Sequence, residues 1–113
     1  MRSRERARVE RHAARALALV APDLRLLVGW TRLGSAWPDG VHAEAFAFLR
    51  EGVVVIDEVL FEAASPDDRE DTIRHELAHL LAWHRHGHDI EDHGAEYRRA
   101  RAEIDRALEE EDA

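Results

Sequence analysis

The pentapeptide His75-Glu76-Leu77-Ala78-His79 lies inside a stretch of the chain whose apolar residues recur with the period of an α-helix. Residues four positions apart lie on one face of a helix, so the side chains of His75 and His79 point in the same direction. Two imidazoles placed in this way can hold one metal ion, and Glu76 can reach a water molecule bound to that ion. The motif therefore predicts a helical segment that carries the site of a zinc hydrolase.

The motif helix has recognisable ends in the sequence. Ser65 is suited to the N-cap position, Pro66 to the first turn, and Asp68 completes a capping box with Ser65. Gly87 is a natural C-terminal stop. We therefore expect the helix to extend from just after Ser65 to just before Gly87.

The rest of the chain predicts two further helices and three strands. The helices are expected over residues 4–20 and about 93–110. The strands are expected over residues 26–32, 41–49 and 53–56, with turns at 37–40 and 50–52. In the second strand, Phe46 and Phe48 lie on one face and Ala45 and Ala47 on the other.

The order of these elements, α-β-β-β-α-α, predicts the α+β fold class. Short turns between consecutive strands favour antiparallel pairing at both junctions. We therefore expect a small, mostly antiparallel sheet packed on the HExxH helix. The length of 113 residues suits a single domain over residues 1–113.

The amino-acid composition limits the possible metal ligands and binding partners. Cysteine is absent, which excludes disulfides and thiolate ligands, so any metal has to be bound by His, Asp or Glu. The net charge of −8 argues against a nucleic-acid partner, and the Arg-rich first helix is the one region that favours such a partner. No apolar run has the length of a membrane span and no signal peptide is evident, so we expect a cytoplasmic monomer without a membrane partner.

The choice of basic residues is unusual. All 16 of them are Arg, and the chain contains no Lys, Asn or Gln. Lys is normally among the commonest residues. A GC-rich genome depletes Lys and Asn but does not remove Gln so completely. We interpret the bias as a hint of a designed or heavily redesigned sequence.

Several residues qualify as a third metal ligand. His93, fourteen residues after His79, offers a nitrogen from the far side of a turn. A pattern with a third His six residues after the second does not apply here, because residue 85 is Arg. Glu96 and Glu103 are alternatives from the next helix, although their spacing does not match the usual one. The nearer histidines are His84, His86 and His88, of which His88 is the best rival of His93.

The pentapeptide can also arise by chance on a helix surface, in a chain with eight His and 24 acidic residues. Three observations favour the metal site instead. The motif helix is capped, it lies between a buried strand and another helix, and a third His follows after a turn.

Other residues are expected around the site. Carboxylates that can orient the imidazoles are Asp57, Glu58, Asp92 and Glu96. Tyr97 can lend a hydroxyl to a reacting oxygen, but its place on an apolar stripe favours the core. Trp30 and Trp37 are candidates for the wall of a substrate cleft, whereas Trp83 is expected to serve packing.

Two motifs carry a resemblance to a known family. HELAHLL at residues 75–81 and HGAEY at residues 93–97 are similar to the HExxH and HGxE[FY] motifs of the SprT-like zinc metallopeptidases. VVVIDEVLF at residues 53–61 is also similar to the strand and helix entry of these proteins. The resemblance covers about residues 25–100.

This resemblance implies a minimal zincin-like fold and one Zn²⁺ per chain. It assigns His75, His79 and His93 as metal ligands and Glu76 as the catalytic residue. Members of the family cleave proteins, and some act on proteins crosslinked to DNA. The cysteine zinc ribbon of many bacterial relatives and a Lys-rich extension are absent from this sequence, so only the function of the catalytic core is expected.

The function predicted from the sequence is that of a zinc-dependent metallopeptidase acting on a peptide or protein. An extended substrate can pair with the edge of the second strand. Two alternatives stay open, a zinc hydrolase of small esters or amides and a metal-binding module without turnover. Glu76 argues against the second alternative, because a purely structural site needs no base.

Overall fold

A computed structural model describes residues 1–34 and 44–112 of the chain. Within them, the sheet has three strands, β1 (Leu27–Thr31), β2 (Ala45–Phe48) and β3 (Val53–Asp57). Their order is β1-β3-β2, and β3 pairs parallel with β1 and antiparallel with β2. The sheet is therefore mixed, and β2 is one of its edges.

The expected antiparallel pairing is confirmed for β2 with β3 and is wrong for β1 with β2, which are not neighbours. A tight turn forces adjacent pairing, but the connection from β1 to β2 spans residues 32–44 and can carry the chain past the place that β3 occupies. The continuous apolar run of β3 suits the central position. The predicted turn at 37–40, residues 41–43 of the second predicted strand and Trp37 lie outside the described residues.

The described residues form four helices, α1 (Ser3–Val20), α2 (Glu58–Glu62), α3 (Pro66–His86) and α4 (Ala95–Asp112). The predicted α+β class and element order are confirmed, with the short α2 as an addition. Asp57 caps α2, since its Oδ1 accepts a hydrogen bond from the backbone N–H of Val59 at 3.0 Å. A helix of five residues is too short for its period to show in the sequence. None of the described helices has both the length and the apolar character that a bilayer crossing requires.

The motif helix α3 begins and ends where the sequence predicts. The side chain of Ser65 accepts a hydrogen bond from the backbone N–H of Asp68 at 3.1 Å, and Pro66 is the first helical residue. Gly87 has a φ of 78°, which glycine adopts without strain, and its N–H donates to the carbonyl of Trp83 at 2.7 Å.

The core lies between the sheet and the helices, with α3 in contact with α1, α4 and β2. Its fully buried large side chains include Val54, Ile56, Phe61, Ile73, Leu77, Leu81 and Ile104. Ala45 is buried on the helix-covered face of the sheet, whereas Phe46 and Phe48 are 43% and 45% exposed, as the predicted alternation requires. The apolar side of α3 is thus inside, and its polar side is left half-buried beside the edge strand β2.

Candidate metal centre

Three imidazoles converge on one point beside α3. The Nε2 atoms of His75 and His79 are 3.2 Å apart, those of His79 and His93 are 3.1 Å apart, and those of His75 and His93 are 3.4 Å apart. Nitrogen ligands about 2.0–2.1 Å from a tetrahedral zinc ion are separated by roughly 3.3–3.4 Å. The three nitrogens therefore fit three corners of a tetrahedral site.

The third imidazole is placed by the segment that joins α3 to α4. His93 lies just before the start of α4, in a turn where the backbone N–H of Gly94 donates to the carbonyl of Glu91 at 3.2 Å. A Cβ at Gly94 would lie 2.8 Å from the Cβ of Glu91. Only glycine therefore allows this turn to close as it does, and the turn sets the direction of His93.

The alternative ligands lie elsewhere. Within the described residues, the single group suited to a metal is His75, His79 and His93. Glu103 forms an ion pair with Arg85. His88 is exposed on the segment after α3, and His84 and His86 are exposed in the last turn of that helix.

The outer nitrogen of each imidazole faces a polar group. The Nδ1 atom of His75 is 2.7 Å from the Tyr97 hydroxyl. Asp92 lies between the other two, with its carboxylate oxygens 3.6 Å from Nδ1 of His79 and 3.8 Å from Nδ1 of His93. All three rings thus direct Nε2 inward and Nδ1 outward, which is the arrangement that imidazole ligands adopt.

Of the four carboxylates expected near the imidazoles, the structure places Asp92 there. Asp57 is buried and accepts hydrogen bonds from the backbone N–H groups of Gly34 and Val59. Glu58 is buried and bound by Arg6. Both therefore stabilise the junction of β3 and α2.

Burial favours the neutral form of two of the imidazoles. It lowers the pKa of His79 to about 4, with a further contribution from the neighbouring His75. It also lowers the pKa of His75, and the charge of His93 acts in the same direction. At neutral pH both rings therefore carry a free lone pair that can bind a metal.

Glu76 is a half-buried carboxyl next to the first of these histidines. Burial raises its pKa to about 7, while a hydrogen bond from the backbone N–H of Ala47 favours the charged form and opposes that rise. The hydrogen bond connects the motif helix to the edge strand β2. No feature of the sequence marks this partner, because every residue other than proline offers a backbone N–H.

The same edge of β2 has outward-facing backbone groups. The backbone N–H of Asp57 donates to the carbonyl of Glu44 at 2.7 Å, so residues 44, 46 and 48 face β3 in the antiparallel ladder. The backbone groups of Ala45 and Ala47 consequently point away from β3, toward the side on which α3 lies.

A cleft of about 200 Å³ adjoins His79, one of the three converging imidazoles. It is lined by Leu49, His79, Trp83, His88, Ile90, Glu91 and Asp92. Trp83, expected to serve packing, is half-buried in this wall. Trp30 is not part of the cleft lining, since its ring packs edge-on against Phe61 and its Nε1 donates to Glu10 at 2.8 Å.

Tyr97 combines a core position with a polar contact. The residue is 8% exposed, as its place on the apolar stripe of α4 predicts. Its ring centroid lies 5.3, 4.5 and 5.1 Å from those of His75, His79 and His93. The ring therefore packs against all three imidazoles, while the hydroxyl reaches the outer nitrogen of His75.

Three arginines of the Arg-rich helix α1 are paired with acidic groups. Arg6 binds Glu58, Arg8 lies 3.5 Å from Glu70, and Arg15 pairs with the carboxylates near the end of α4. Part of the positive charge that favoured a nucleic-acid contact is thus balanced within the protein.

Comparisons with known proteins agree with this geometry. Residues 7–112 match the sequence model of the SprT-like family. The crystal structure of the metallopeptidase zymogen of Pyrococcus abyssi abylysin superposes with a TM-score of 0.61 at 20% identity, covering 92% of this chain and 89% of that chain. The latter likeness concerns the fold. No curated protein matches the sequence.

Proposed function

This chain belongs to the SprT-like family, and on that basis we propose that it is a zinc-dependent metallopeptidase in which Glu76 acts as the general base. The observation that carries the proposal is the convergence of the Nε2 atoms of His75, His79 and His93 to within 3.1–3.4 Å of one another. The lone pairs of three imidazole nitrogens have no mutual attraction that would bring them together. One metal ion binds all three.

The proposed ligands are His75, His79 and His93. A zinc ion held there supplies a Lewis acid that polarises the substrate carbonyl and lowers the pKa of a water molecule toward neutrality. An all-imidazole site suits zinc, although cobalt, nickel and manganese accept the same ligands. The fit of the spacing to a tetrahedral ion supports zinc.

Glu76 has the environment of a general base. Because burial raises its pKa to about 7, the carboxylate can take a proton from the attacking water at neutral pH and then donate it to the leaving amine. The backbone N–H of Ala47 holds the carboxylate against the edge strand. A carboxyl with this pKa has no evident purpose in a purely structural site.

The proposed substrate is an extended peptide. Apart from the Ala47 N–H, which already donates to Glu76, the outward backbone groups of Ala45 and Ala47 can pair with such a chain alongside α3, and this pairing is independent of the substrate sequence. A small ester lacks the backbone needed for it. The edge strand therefore favours a peptidase over an esterase.

The decisive experiment compares the wild type with Glu76→Gln for zinc content and for hydrolysis of a fluorogenic peptide and an activated ester. We expect one zinc per chain in both proteins, and peptide turnover at least about 100-fold lower in the variant. Glu109→Gln, an exposed carboxyl in α4, is the matched control and should behave as the wild type.

Each other outcome has a definite meaning. Turnover of the ester alone would replace the peptidase by a hydrolase of small esters. Zinc without turnover in the wild type would leave a metal-binding module. Absence of zinc from the wild type would overturn the proposal.

A further inference from the structure

We propose that Tyr97 is a positioning residue that fixes His75 as a metal ligand, and that Arg101 acts through Tyr97. This inference rests on the proposed function, since it concerns the same metal site. It differs from a role for Tyr97 at the reacting oxygen, because the hydroxyl is directed at the outer nitrogen of a ligand.

The contact that carries the inference is short and protected. The Tyr97 hydroxyl lies 2.7 Å from Nδ1 of His75, and Tyr97 is 8% exposed. Water therefore competes little for this hydrogen bond. The phenol ring also packs against the other two imidazoles, which limits its movement.

The hydrogen bond selects one form of the imidazole. If Nε2 of His75 binds the metal, its lone pair is used there and Nδ1 carries the proton. The N–H at Nδ1 then donates to the Tyr97 oxygen. A fixed acceptor at this place holds both the tautomer and the ring orientation that the metal requires.

Arg101 makes the phenol oxygen a reliable acceptor. Its guanidinium has only donors, and its positive charge opposes the rise that burial causes in the pKa of the Tyr97 hydroxyl, so it favours the phenol oxygen as an acceptor. Arg101 is itself held by Asp71 and by both oxygens of Asp105, the latter at 3.1 Å from Nε. The guanidinium is therefore anchored before any metal binds.

The arrangement extends from one helix to the other. Asp71 lies one turn before His75 in α3, and Arg101 lies one turn after Tyr97 in α4. The pairs Asp71–Arg101 and His75–Tyr97 thus stand one above the other between the two helices. The metal ligand is positioned by a chain of contacts that ends at two aspartates.

The test is the dissociation constant for zinc, measured by competition with a chromophoric chelator, in wild type, Tyr97→Phe, Arg101→Met and the double variant. Tyr97→Phe keeps the ring and removes the hydroxyl. We expect it to weaken zinc binding about 10- to 100-fold, the usual effect of losing such a partner. Arg101→Met should have a smaller effect, and no added effect in the Tyr97→Phe background.

Cobalt substitution gives a readout that loss of packing alone would not change. The visible absorption of bound Co²⁺ reports the ligand geometry, and we expect its bands to shift in Tyr97→Phe. Arg99→Met, an exposed arginine of the same helix, is the matched control and should change neither the zinc affinity nor the spectrum.

Unchanged zinc affinity and an unchanged cobalt spectrum in Tyr97→Phe would overturn the inference. Lower turnover at unchanged zinc affinity would also overturn it, by placing Tyr97 at the reaction rather than at the ligand, and would leave the proposed function intact. Additive effects of the two substitutions would remove Arg101 from the chain of contacts. Absence of zinc from the wild type would overturn the proposed function together with this inference.

Discussion

The hydroxyl of Tyr97 lies 2.7 Å from Nδ1 of His75, and this contact joins α4 to the motif helix at the proposed metal site. One turn away along both helices, Arg101 pairs with Asp71. In the opposite direction, the Nε2 atoms of His79 and His93 lie 3.1 Å apart. The geometry of the site therefore depends on the antiparallel register of α3 and α4, and a shift of one helix along the other would separate the ligands.

Removal of the metal is expected to lower the melting temperature. A ligand that binds only the folded chain stabilises it by about 2.7 kcal/mol at a free concentration 100 times its dissociation constant. We expect calorimetry to show a lower melting temperature for chelator-treated protein. Added zinc should restore the original melting temperature. His93→Ala serves as the control, since it should melt at a temperature that zinc and chelator no longer change.

Substitution of Ala45 by proline is expected to lower peptide turnover and to leave ester turnover unchanged. The N–H of Ala45 points away from β3, so proline removes an outward donor of the edge strand without removing a hydrogen bond of the sheet. Ala45→Gly retains the N–H and is the matched control. Equal peptide turnover in Ala45→Pro and the wild type, at equal melting temperature, would count against pairing at this edge.

Substitution of Gly94 by alanine is expected to weaken zinc binding. The added methyl group would lie 2.8 Å from the Cβ of Glu91, so the turn has to open and carry His93 away from the other ligands. Steric insertion of this kind costs about 1–3 kcal/mol. Zinc titration of Gly94→Ala beside Gly29→Ala checks the prediction, because a Cβ at Gly29 meets Val55 at an ordinary 3.8 Å.

The ion pair between Arg6 and Glu58 is expected to make stability fall in acid. Glu58 is buried and accepts hydrogen bonds from Arg6 at 2.6, 2.7 and 2.9 Å, and these contacts, with smaller contributions from Met1 and Arg32, lower its pKa from 4.5 to about 2. Because the folded-state pKa is depressed, the stabilisation is present above about pH 4.5 and is lost as the pH falls toward 2.

Melting curves between pH 7 and pH 2 test this expectation. The melting temperature of Arg6→Met should be lower than that of the wild type at pH 7, and it should fall less on acidification. Arg4→Met, an exposed arginine of the same helix, should follow the wild type at every pH. Parallel curves for Arg6→Met and the wild type would show that the pair does not control acid stability.

Local signals in the sequence predicted those parts of the structure that depend on neighbouring residues. The capping of α3 by Ser65 and its end at Gly87 are set within a few residues, and the common face of His75 and His79 follows from helix geometry alone. The motif pair that indicated the SprT-like family is confirmed by the match over residues 7–112.

Local sequence signals did not predict the contacts between distant segments. The parallel pairing of β1 with β3 depends on how a long connection crosses the sheet. The hydrogen bond from Ala47 to Glu76 depends on where β2 lies against α3, and it uses a backbone group that every strand possesses. Trp83 faces the cleft because residues after α3 fold back over it, which the helical period does not encode.

The position of His93 beyond the end of α3 gives the metal a mechanical consequence. An ion bound by both His79 and His93 would be a cross-link that closes the loop of residues 80–92, in a chain that has no cysteine to form one. Such closure lowers the entropy of the unfolded chain, as a disulfide does, but it is reversible by chelation. Because Ile90 and Asp92 belong to this loop and line the cleft, loss of the ion would loosen the wall of the cleft together with the proposed metal centre.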